Sequence, residues 1–149
     1  MNMWNRGVAG WLAIALVGCG TPDSPEVQVR AVIAAAELAA EARDVSAVMG
    51  LVSPDYADAD GREVAELSRY LRGYFIANQS IHLLTRIESL EFPASDVAEV
   101  ELTVAMVGRD AEAVSAWDLA ADAQSLRLTL MEKGGAWRVT HADRRSAGP

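Results

Sequence analysis

Few side chains in this 149-residue chain are suited to chemistry, and their spacing narrows what that chemistry is. There is one cysteine, Cys19, and there are two histidines, His82 and His141. A protein zinc site needs several Cys, His or acidic ligands at short spacings. With a single thiol and no His-x-x-x-His or Glu-x-x-His pair, neither a metal nor a cofactor is expected. The run Asp55-Tyr56-Ala57-Asp58-Ala59-Asp60-Gly61 echoes a calcium loop. Setting Gly61 at loop position six puts Tyr56 at position one and Leu67 at position twelve, where acidic ligands are required. The run is therefore read as turn and helix-cap chemistry. No Ser-His-Asp signature, Gly-x-Ser-x-Gly elbow or phosphate-binding glycine loop is present. Acid–base work in a cavity is what remains, and Tyr56, Tyr74, Asp118 and His141 are the polar groups available for it. His82 shares a mixed strand face with Leu84, Arg86 and Glu88, which reads as surface. His141 continues the apolar alternation of Trp137 and Val139; a hydrogen-bonded histidine at the strand end is the first expectation, and a pocket lined by Tyr56, Tyr74, Trp137 and His141 is the alternative. Trp117 reads as a loop anchor and Trp137 as a core residue.

Cys19 sits in a different context. Arg6 and the terminal amine give a positive start, and Gly7 to Gly20 is a charge-free stretch containing four glycines. A transmembrane helix needs about 20 consecutive apolar residues, so this segment is too short and too poor in large side chains to span. It has the layout of a secretory signal peptide. Leu16-Val17-Gly18-Cys19 resembles the lipobox of a bacterial lipoprotein precursor. That resemblance implies diacylglyceryl on the Cys19 sulfur, cleavage before Cys19 and acylation of the new amine. Each buried acyl CH₂ contributes about 0.8 kcal/mol, so two or more chains hold stably where one holds marginally. Gly20 in place of Asp favours the outer over the inner membrane, facing the periplasm.

Removing residues 1–18 leaves 131 residues, the size of one domain. Arg6 is the only charge lost, so the net charge moves from −8 to −9. Such a surface repels nucleic acid phosphates and anionic lipid headgroups alike, so residence at a membrane must come from the acyl chains. With Cys19 lipidated no disulfide is available, and apolar packing alone must hold the fold.

The elements that must position these groups are legible in the periodicity. Ser24, Pro25 and Glu26 read as N-cap, first turn and dipole partner of a helix over 25–43. It carries seven alanines and a thin apolar stripe of Val29, Ile33, Ala36 and Ala40. Asp44 is expected to cap a short helix through Val52, ended by Ser53-Pro54-Asp55. Asp60 and Glu63 read as a capping box for a third helix to about Gln79, with Val64, Leu67, Leu71, Tyr74 and Phe75 on one face. After Ser80 the period becomes two. Strands are expected over 81–92, 97–107, 125–133 and 136–142, with a turn at Pro93 to Asp96 and a two-residue hairpin at Gly134-Gly135. Residues 108–124 read as a helical turn or a wide loop, and the residues after Asp143 as a polar tail.

Three helices followed by a four-stranded antiparallel meander make an α+β fold with helices on one face of a curved sheet. Val52-Ser53-Pro54-Asp55-Tyr56, Asp60-Gly61 and Trp137-Arg138-Val139-Thr140 in this order resemble the NTF2-like superfamily, which includes SnoaL-like proteins. The resemblance implies a cystatin-like cone over 25–143, preceded by residues 19–24 as lipidated cysteine and tether. It also implies a conical cavity. The leading expectation is a membrane-anchored periplasmic lipoprotein whose domain, without catalysis, binds a small apolar ligand or an envelope protein. The alternatives are an isomerase or dehydratase using a cavity His, Asp or Tyr, and an assembly module whose sheet face pairs with a partner or with itself. Nothing in the sequence sets an oligomeric state.

Overall fold

The computed structural model describes residues 23–107 and 123–146. The signal segment, Cys19, Trp117, Asp118 and most of the 108–124 connection lie outside the described residues.

Helix α1 spans Pro25–Glu41, and the Ser24 hydroxyl accepts from the Val27 amide at 3.3 Å. Helix α2 spans Val45–Gly50. The Asp44 carboxylate accepts from the Ala47 amide at 2.9 Å, as the sequence leads one to expect. Helix α3 spans Val64–Ala77 and starts later than expected. Its N-cap is Glu63, whose amide donates to Glu66 Oε2 at 3.1 Å. Asp60 is not the cap because its carboxylate holds Arg62 at 2.7 Å, inside a tight reversal closed by a bridge between Ala57 and Glu63.

Strands β1 (His82–Ala94), β2 (Val97–Val107), β3 (Gln124–Lys133) and β4 (Ala136–Ser146) form one antiparallel sheet in chain order. The turn after β1 is only Ser95-Asp96, and Pro93 lies within the strand. β1 is an edge strand, where a missing amide is tolerated. Gly134 and Gly135 both have positive φ, 64° and 82°, as a two-residue hairpin with the twist of its strands requires. β4 runs four residues past Ala142, so the expected polar tail begins as strand.

Period-two alternation turns Ala98, Val100, Leu102 and Leu130 onto the inner face. Val29 and Ile33 of α1 cover them, with Val64 and Leu67 of α3 packed alongside. Trp137 and Phe92 meet edge to face at 5.8 Å where β1 and β4 converge on the hairpin end of the sheet. The β4 edge is covered by the segment after α2. Ser53 and Ala57 amides donate to the Val139 and Thr140 carbonyls at 2.8 and 3.1 Å, and the Val139 amide donates to Leu51. That pairing satisfies backbone groups that an open edge would leave to a second chain. Among the described residues no helix is long and apolar enough to cross a membrane.

Candidate functional site

One register fault decides what the site contains. Leu130 pairs with Val139 but Thr129 pairs with His141, so Thr140 is an extra residue in β4. A bulge of this kind reverses the side-chain alternation beyond it. Trp137 and Val139 point inward before the bulge, and Ala142 and Arg144, opposite Leu128 and Leu126, point inward after it.

At the end of the sheet away from the hairpin the inner face is not filled. A cavity of about 260 Å³ lies between α1, α2, α3 and the sheet. Its walls are Ala40 and Val48, then Leu71 and Phe75 of α3, Ile81, Leu83, Val104, Met106 and Leu126. The alanine-rich end of α1 contributes only Ala40, and this lack of bulk leaves the space. Among the described residues, Tyr70, Tyr74, Gln124 and Arg144 are the polar members of its lining. Tyr70 and Tyr74 stack with centroids 6.1 Å apart. The Tyr74 hydroxyl donates to the Met106 sulfur, at 3.4 Å, a weak acceptor. Burial, helped by Tyr70 and opposed by Arg144, raises the Tyr74 pKa, so this hydroxyl is a donor at neutral pH.

A second, more polar recess of about 180 Å³ shares Tyr70, Leu126 and Arg144 with the first and is closed by Tyr56, Asp58, Asp60 and Arg62. Arg62 lies 3.0 Å from Asp58 and 2.7 Å from Asp60, with its guanidinium 5.5 Å from the centre of the Tyr70 ring. Tyr56 is 5% exposed, and burial, reinforced by the Asp58 charge, raises its pKa to about 12. Burial also pushes the Asp58 carboxyl up, but the Arg62 amide and guanidinium outweigh it and hold Asp58 below the usual aspartate range. A lowered folded-state pKa contributes stability above the unfolded value and loses it as pH falls through the folded one. Asp58→Asn is expected to cost about 1 kcal/mol at pH 7. The difference should close as pH falls from roughly 4 toward the lowered value, measured by urea denaturation of both proteins across pH.

No family model matches the chain, and no curated protein matches it in sequence. Solved structures match it closely in shape. A domain of unknown function with a cystatin-like fold from Nostoc punctiforme superposes with a TM-score of 0.68 at 12% identity, covering 83% of this chain and 78% of that one. An NTF2-like protein of unknown function from Shewanella oneidensis gives 0.60 at 13% identity, over 80% of this chain and 98% of that one. The fold is NTF2-like. A hexachlorocyclohexane dehydrochlorinase from Novosphingobium barchaimii also shares it, with a TM-score of 0.63 at 10% identity over 83% and 86% of the two chains. At these identities the likeness concerns the fold alone.

The NTF2-like domain does not gather the four residues singled out in the sequence. Tyr74 lines the apolar cavity, and Tyr56 closes the adjoining recess. Trp137 is 5% exposed in the core at the opposite end. His141, displaced by the bulge, lines neither space, and its Nδ1 lies 2.6 Å from the Ala57 carbonyl across the β4 edge. His82 is exposed, 3.5 Å from the Ser80 hydroxyl. Among the described residues no group of acidic, His or Cys side chains is placed to hold a metal. Arg144, Gln124, Tyr70 and Met106 escaped the sequence reading. The length of β3 held the missing signal: pairing all of Leu126, Leu128 and Leu130 requires β4 to continue past Ala142.

Proposed function

We propose that this protein is a lipid-anchored, periplasm-facing envelope lipoprotein whose NTF2-like domain binds a small apolar ligand without transforming it. The apolar cavity at the open end of the cone carries this reading. Its size is near the lower end of ligand pockets, which start at about 300 Å³. Its lining supports binding over catalysis. Among the described residues its polar members are Tyr70, Tyr74, Gln124 and Arg144, and general-base catalysis calls for a group whose pKa lies near the working pH. The lipobox supports membrane attachment, with the outer membrane favoured by Gly20.

Native mass spectrometry of the full chain purified from its host is expected to show a retained small molecule. Val104→Trp places an indole in the cavity and is expected to abolish that retained mass, while near-UV circular dichroism confirms folding. Retention undiminished in a folded Val104→Trp protein would sink the binding site. Turnover of any substrate that disappears with Tyr74→Phe would sink the non-catalytic part.

A further inference from the structure

We propose that the ligand is a monoanionic amphiphile, an apolar body ending in a carboxylate, with the carboxylate received by Arg144 at the cavity mouth. This rests on the cavity being a binding site and goes further by assigning the ligand's head group. Among the described residues two cations, Arg62 and Arg144, border these adjoining spaces, and they differ in their carboxylate partners. Arg62 is held by Asp58 and Asp60 at 3.0 and 2.7 Å. Arg144 has no carboxylate within 4.0 Å among the described residues; the neighbouring Asp143, which also lines the recess, lies 3.6 Å from Arg145. A guanidinium presents a planar fork that matches a carboxylate with two parallel hydrogen bonds. Tyr74, whose hydroxyl donates to the Met106 sulfur, is a second donor in the same cavity.

Charge and size narrow the class. One guanidinium suits one negative charge. A phosphomonoester would bring about a second, beside Asp58 and Asp60 in the recess that shares Arg144. The walls beyond the mouth are aliphatic or aromatic, and 260 Å³ holds roughly nine water-sized groups. That is the scale of a medium-chain acid, not of a phospholipid.

Decanoate, decanol and decylamine share one apolar body and differ only in head group. Each is titrated calorimetrically onto the full chain in lipid nanodiscs, with protein-free nanodiscs as reference. Decanoate is expected to bind about tenfold more tightly than decanol, the lower end of what a charged hydrogen bond gives. Arg144→Gln should remove that advantage and leave decanol within twofold, and Arg144→Lys should restore part of it. Equal binding of decylamine and decanoate, or a folded Arg144→Gln protein with unchanged decanoate affinity, overturns the head-group assignment and leaves the apolar site standing. If none of the three binds and Val104→Trp changes nothing, the cavity itself is not a site.

Discussion

Cys19→Ser is expected to abolish detergent-phase partitioning of the protein. The wild-type chain should appear by intact mass as residues 19–149 plus acyl groups. The serine variant should appear either as a released chain or as an unacylated precursor still carrying residues 1–18. The size of the effect follows from the chemistry of the anchor. At about 0.8 kcal/mol per buried CH₂, two or more acyl chains confer a partition free energy that no surface feature of an acidic domain replaces. Coulombic attraction cannot compensate, since a chain of net charge −8 is repelled by anionic headgroups. Membrane fractionation and mass both unchanged by the substitution would refute the lipid anchor.

Trp137→Ala carries the second large effect, on stability. Trp137 is 5% exposed, packs edge to face on Phe92 at 5.8 Å, and belongs to the core that includes Leu130, Val100 and Val29. Truncating a buried Trp costs about 3–5 kcal/mol through lost burial and the cavity left behind. For a domain of this length that lowers Tm by roughly 10 °C or more, measured by calorimetry. Because Trp137 lies at the end of the sheet away from the apolar cavity, ligand affinity below the new Tm should change less than twofold. An unchanged Tm with lost ligand retention would instead make Trp137 a pocket residue.

The two predictions divide where the information lies. Cys19 is read from nearest neighbours in the chain, and so are most of the elements. Ser24 and Asp44 cap their helices as their types and positions indicate, because a cap is satisfied within three residues. The alternation of Ala98, Val100 and Leu102 places β2 with one dry face, and Gly134-Gly135 marks the hairpin because both need positive φ. The cap of α3 shows where such local legibility stops. Asp60 has the right type and spacing, yet Arg62 competes for its carboxylate and the start moves to Glu63.

The site was least legible where it depends on pairing between distant segments. Strict alternation from Trp137 and Val139 turns His141 inward. The extra residue at Thr140, visible only in the register against β3, turns it outward and brings Arg144 in. The cavity is a deficit of volume between Ala40 of α1 and Met106 of β2, residues far apart in sequence. Among the described residues, the carboxylates that line the recess with Arg144 are shared out by pairing, Asp58 and Asp60 to Arg62 and Asp143 to Arg145.

The sequence by itself determined the α+β class, the order of helices and strands, and the helix caps at Ser24 and Asp44, because propensity, capping and alternation act over a few residues. Only the tertiary structure decided which side chains share a cavity. A strand's facing beyond a bulge and an unfilled volume are properties of contacts between segments, and no local pattern encodes them.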